Sequence, residues 1–225
     1  MAVSNVLDRE IKPTAKGPRQ RTQQLMLDTA TRMMQEGQTP SVTGVAEAAG
    51  VSRATAYRAF PSQAALVGAV VDHGLGPILS WQSDAGDAET RVVQLLETSM
   101  PRIFEFEATF KAALKLTLEQ WAERQAGQGS DEPAFRRGHR VELLQRAIAP
   151  LRKELTRTEF ARLARALSLV YGLEVLIVLK DIWGLHLAEV QSVVSWAGRA
   201  LVRAAIAEAH AGSAKGKRGG RPAVR

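Results

Sequence analysis

Residues 42–60 contain two stretches too short to stand alone as helices, joined at a single glycine. Val42 to Ala49 reads as one short helix closed by Gly50. A second starts at Ser52 and ends near Phe60. Isolated helices below about 12–15 residues are marginal in water, so both must pack on something else. Ala46, Ala48 and Ala49 permit close approach between helices. Gly50 sits where a left-handed backbone turns the chain sharply, and Val51 plugs the corner. Ser52 caps the second helix, whose exposed face offers Arg53, Thr55, Tyr57 and Arg58. Two short helices at a tight glycine turn make a helix-turn-helix, whose second helix fits the major groove of DNA. Hydroxyls and helix-start amides suit phosphate oxygens, and arginine can fork onto guanine. Ordinary helical packing produces the same short pair, so the flanking sequence decides.

That sequence is helical throughout. Apolar residues recur at helical spacing from Arg19 to Glu36, before the stop at Gly37. Pro61-Ser62 ends the second short helix and caps the next, expected from about Gln63 to Ser80. Further helices are expected over Asp87 to about Phe106, with a possible kink at Pro101, over Ala108 to Gln125, and over Ala134 to Ala149. The stretch 126–133 reads as a loop. Thr156 and Glu159 form a capping box for a helix running to about Leu179, apolar on most faces near its end. After Gly184 a last helix spans Leu187 to about Ala209. No strand alternation and no fixed repeat appears. The expected fold is all-α with about nine helices. The expected divisions are an unstructured basic arm at 1–18, a DNA-binding unit at 19–65, a larger helical unit at 66–210 and a disordered basic tail at 211–225.

Composition narrows the function. The 225 residues include 30 Lys and Arg against 23 Asp and Glu, a net charge of +7, and no cysteine. Disulfides, thiolate metal sites and cysteine nucleophiles are therefore excluded. Residues 1–65 carry a net +3, residues 66–212 a net −1 and residues 213–225 a net +5. Basic ends on a near-neutral middle suggest a polyanion, nucleic acid first. The tail residues Lys215, Lys217, Arg218, Arg221 and Arg225 read either as a non-specific phosphate handle or as a soluble end. The longest aliphatic run, Val175 to Leu179, is far short of the about 20 residues a spanning helix needs. No secretory h-region is visible at the N-terminus, so a cytoplasmic protein with no membrane partner is expected. His73, His139, His186 and His210 fall at no metal spacing, and no phosphate loop or nucleophile elbow is present. Neither enzyme activity, a cofactor nor a metal is expected.

The helix-turn-helix is followed by Tyr57, Phe60, Pro61-Ser62 and Leu66. Together with Val45-Ala46, Ala49-Gly50-Val51-Ser52, Thr55 and Ala65, this string resembles the TetR/AcrR family of transcriptional regulators over about residues 20–72. Beyond that segment only length, helical character and a long final helical pair agree. The resemblance implies a homodimeric repressor with a palindromic operator, released by a small, largely apolar ligand. An activator of the same fold, or an architectural DNA binder or scaffold without a ligand, is the alternative. It also implies DNA contacts at Thr43, Ser52, Arg53, Ala54, Thr55, Tyr57 and Arg58, with Arg19 and Arg21 reaching backbone or minor groove. The family usually has lysine after Pro-Ser as a phosphate anchor. Here Gln63 stands there, and a neutral amide makes a weaker anchor.

The implied dimer interface lies on the last two helices, with Leu169, Leu173, Leu176 and Ile177 on one and Val190, Val194, Ala197 and Leu201 on the other. The first of these helices is too apolar for a monomer surface. Met100, Phe104, Phe110, Leu114, Trp121, Tyr171 and Trp183 are candidate walls of a ligand pocket, or plain core. The basic run at 136–140 reads as a solvated face, or else as a source of an inward His139 or Arg140 for an anionic or polar ligand group. Glu174, alone on an apolar helix, should have a partner: one of these arginines, in the same chain or across the dimer, or else a cationic ligand.

Overall fold

The computed structural model describes residues 17–128, 135 and 138–218, the stretch 213–218 by backbone alone. Ten α-helices and no strand occur among them. The first four are α1 (Pro18–Gln35), α2 (Val42–Ala48), α3 (Arg53–Ala59) and α4 (Gln63–Leu75). They are followed by α5 (Ala88–Glu105), α6 (Glu107–Gln125) and α7 (His139–Ala147). The last three are α8 (Arg157–Leu167), α9 (Leu173–Leu176) and α10 (Leu187–Arg218). The expected arm before residue 17 lies outside the described residues, as do Arg136 and Arg137. The expected tail begins differently, because α10 continues through 211–218.

Two apolar cores organise these helices. In the first, the α1 stripe Met26, Ala30 and Met34 meets Val42, Val45 and Ala46 of α2, with Ala56 and Phe60 from α3 and its end. Leu66, Val67 and Val70 of α4 close it from one side, and Ala112, Ala113 and Leu116 of α6 cover another. In the second, α5 is the centre. Val92, Leu95, Leu96 and Met100 lie in this core, and α5 packs on α10 and α7. Val71 and Leu75, at the far end of α4, pack against this second core. One helix thus serves both.

Helix ends follow local chemistry. Asp87 caps α5 by accepting from the Thr90 amide at 2.8 Å. The capping box read at Thr156 forms: its hydroxyl accepts from the Glu159 amide at 3.3 Å, and the Glu159 carboxylate accepts from the Thr156 amide at 2.8 Å. Pro101 sits inside α5 without ending it. At the start of α6, Glu107 is buried. Burial alone would raise its carboxyl pKa, but hydrogen bonds from Lys111 and Lys180 outweigh that and hold it below the ordinary value. Lys111 also reaches Asp181 at 2.8 Å, so this cluster ties α6 to the chain after α9.

The continuous helix expected from Thr156 to Leu179 does not form. α8 stops at Leu167 and one 3₁₀ turn follows. Tyr171 is then extended, and Gly172 takes φ 103° and ψ −167°, a region essentially closed to other residues. Helical propensity is overridden by two tertiary anchors. The buried Tyr171 hydroxyl bonds the Ser99 hydroxyl at 3.1 Å, and Arg140 occupies the space a Gly172 side chain would need, its Nη2 2.9 Å from an ideal Cβ. Past the break α9 continues as a π-helical stretch, Ile177–Ile182. The extra helix relative to expectation comes from this break.

The break also divides the residues expected at a subunit interface. Leu173, Leu176, Val190 and Val194 are buried in the chain's own second core, Leu176 and Val190 at 0% exposure. They offer no surface to a partner. Ile177 and Leu201 pack half-buried against that core and Ala197 is half-buried. Only Leu169, at 81% exposure, stands free. The apolar residues that do face outward on these segments are Val178, Ile182, Trp183, Val193 and Trp196.

Replacing Gly172 by alanine should force the backbone out of its conformation and push Arg140 away. A loss of about 1–3 kcal/mol is expected, measured as a lower urea midpoint at unchanged slope. An unchanged midpoint would contradict this account of the break.

Candidate nucleic-acid interface and the cavity behind it

Two capped helices and one left-handed glycine set the geometry of the surface. Ser41 caps α2, accepting from the Gly44 amide at 3.0 Å. α2 closes as Val51 donates its amide to the Ala46 carbonyl at 2.8 Å, with Gly50 at φ 65°. Ser52 then caps α3: its hydroxyl accepts from the Thr55 amide at 3.3 Å and lies 2.9 Å from the Thr55 hydroxyl. Ala56 and Phe60 point into the first core and fix the helix on its inner side. The outer side is therefore free. Ser52, Arg53, Ala54, Tyr57 and Arg58 are exposed and Thr55 is half-buried. Tyr57 keeps 44% of its surface in solvent despite its size.

The neighbouring residues extend this face. Arg19 and Thr22 of α1 share a groove with Thr55 and Arg58 of α3, and Arg21 is exposed at the same helix start. Among the described residues, no carboxylate pairs with Arg19, Arg21, Arg53 or Arg58. Thr43 lies half-buried in the first turn of α2, its hydroxyl 3.2 Å from that of Ser41. Gln63 is turned elsewhere: its side-chain amide donates to the Pro40 carbonyl at 3.1 Å. It pins the start of α4 to the loop before α2, so one of its two N–H donors is already used inside the protein. Four cations with helix-start amides and hydroxyls can grip a polyanion at phosphates while α3 presents side chains to base edges.

Behind this face, on the other side of α4, lies a cavity of about 310 Å³, the lower end of the range for small-molecule sites. Val71, Asp72 and Leu75 of α4 form one wall, and Ile103, Phe110 and Leu143 face them. Of the expected pocket residues, Phe110, His139, Arg140 and Tyr171 border it. Leu173, expected at an interface, borders it as well. Met100 is plain core. Phe104 is half-buried with the Lys180 ammonium 4.4 Å over its ring, and Leu114 packs on the core's edge. Trp121 and Trp183 are exposed. Glu174 accepts from Arg140, one of the partnerships its sequence position called for.

His139 and Asp72 meet across the cavity mouth, Nε2 to Oδ1 at 2.7 Å, bridging α7 and α4. Burial pushes the Tyr171 hydroxyl pKa up, so it remains a protonated donor to Ser99. The α4 wall was missed from sequence. Its signals were Gly68 inside a helix and Asp72 alone on an apolar one.

Residues 26–70 match the family described as bacterial regulatory proteins, tetR family. No curated protein matches the chain. The matched segment holds the α2–α3 pair, its capping serines and most of α4.

Ser52→Ala removes both hydrogen bonds to Thr55 at the start of α3. A cost of about 1 kcal/mol is expected, seen as a lower thermal midpoint. A midpoint equal to the parent's would show that the cap contributes nothing.

Proposed function

We propose, from the match of residues 26–70 to the tetR family of bacterial regulatory proteins, that this DNA-binding transcriptional regulator is a homodimeric repressor. It binds a palindromic operator and lets go when a small, largely apolar ligand enters the cavity beside α4. The observation that carries the reading is the double duty of α4. Leu66, Val67 and Val70 hold the α2–α3 pair in the first core, while Val71, Asp72 and Leu75 of the same helix wall the cavity. An occupant pressing on that wall tilts α4, and α4 carries the recognition helix with it. Thr43, Ser52 to Thr55, Tyr57 and Arg58 contact the operator, with Arg19 and Arg21 reaching the adjoining backbone. Gln63 acts indirectly, by holding α4 to Pro40.

Dimerisation supplies the second head. Leu169, Val178, Ile182, Trp183, Val193 and Trp196 lie on the consecutive segments from the turn after α8 to the first part of α10, and Trp183 and Trp196 are each 71% exposed. Large apolar side chains gathered in this way mark an interaction surface, and a two-fold pairing there is self-complementary. Two heads related by a two-fold axis read two half-sites of a palindrome.

Operator affinity measured by gel shift on the promoter fragment, together with light scattering, tests both parts. Tyr57→Ala should lower operator affinity at least tenfold while the protein stays a dimer. Ile182→Arg should give folded monomers with weak operator binding. Sequence-independent binding by the parent, or an Ile182→Arg protein that is still dimeric, would overturn the corresponding part.

A further inference from the structure

The polar groups of the cavity are not equivalent. Asp72 and His139 satisfy one another across 2.7 Å. Arg140 has capacity to spare. Its guanidinium carries five N–H donors. One Nη2 donor goes to Glu174, and Nη1 lies 3.4 Å from the Ser168 carbonyl. The remaining donors have no acceptor among the described residues. Arg140 borders the cavity, whereas Glu174 does not. The guanidinium is also held in place. It fills the space left by the missing side chain of Gly172, 2.9 Å from where a Cβ would stand, so the break between α8 and α9 fixes the cation against the cavity wall.

Among the described residues the rest of the lining is mostly apolar, from Val71, Leu75, Ile103, Phe110, Leu143 and Leu173. We propose that the occupant is a molecule with an apolar body and one carboxylate, and that Arg140 is its anchor. A carboxylate can accept two parallel N–H bonds from a guanidinium. An alcohol accepts only through one oxygen, and an amine meets a like charge. The inference rests on the reading of the cavity as the effector site and adds the ligand's chemical class. Gly68 sets the size limit on the α4 side, since a side chain there would project toward Phe135, 4.0 Å from an ideal Cβ.

Calorimetric titration of the full-length protein, without DNA, with decanoate, decanol and decylamine tests the proposal. Decanoate should bind at least tenfold tighter than the other two. Arg140→Gln should erase that margin and leave decanol affinity unchanged, with its melting temperature recorded to establish folding. Glu174→Gln keeps the guanidinium and should keep the margin, which covers the case of an unfolded Arg140→Gln. Gly68→Leu should abolish decanoate binding by filling the cavity. Equal affinities, an amine preference, no binding by any probe, a margin that survives Arg140→Gln, or decanoate binding that ignores Gly68→Leu would each overturn it. A protein that binds decanoate through Arg140 yet holds its operator equally well with and without it would sink only the release reading.

Discussion

α4 is asked to satisfy two cores with thirteen residues. Leu66, Val67 and Val70 must stay with α1, α2 and α3, because helices as short as α2 and α3 have no stability apart from that packing. Val71, the next residue, and Leu75, just over a turn past Val70, must reach the second core. The helix cannot rotate about its axis without exposing one set or the other. It can only tilt as a rigid piece, pivoting where its start is held. That start is held twice, by the Ser62 cap on the Ala65 amide at 3.1 Å and by the Gln63 bond to the Pro40 carbonyl. In the proposed release, this double hold is what would couple a displacement at the cavity end to α3.

Much of this arrangement was legible in the sequence where the signal is local. The glycine turn at Gly50, the caps at Ser52 and Thr156, and the stops at Gly37 and Gly184 depend on residues within one helical turn of each other. So does the exposed face Arg53, Tyr57 and Arg58, since its opposite face, Ala56 and Phe60, is visibly apolar. The break at Gly172 was not legible. Leu169 before it and Leu173 and Glu174 after it favour a helix, and the forces that open it come from Ser99 and Arg140, 72 and 28 or more positions away in the chain. Apolar periodicity likewise marks a stripe as buried without saying in what. Leu176 and Val190 were equally suited to a subunit seam and to the chain's own core, and the second use won.

Charge placement separates the two ends of the molecule by role. Near α3 the arginines are free of carboxylates among the described residues, so their field is available to a polyanion. Around α6 and α9 the opposite holds: Glu107, Lys111, Lys180 and Asp181 neutralise one another in a closed network. These four charges cancel within the net −1 carried by residues 66–212. Arg140 stands between these regimes, paired on one side and facing the cavity on the other.

The packing of α10 on α5 has a consequence for how the chain acquires its shape. Arg203 bonds Glu89 across 114 positions of sequence, at 2.6 and 2.8 Å, and the apolar contacts between the two helices span a similar distance. A ribosome adding residues from the N-terminus completes α1 to α6, and with them the whole first core apart from Phe135, while the cover for α5 is still unmade. The DNA-reading head can fold during synthesis. The cavity-bearing body cannot close until the last helix emerges, and until then the apolar face of α5 is the exposed surface that chaperones or a neighbouring nascent chain will meet.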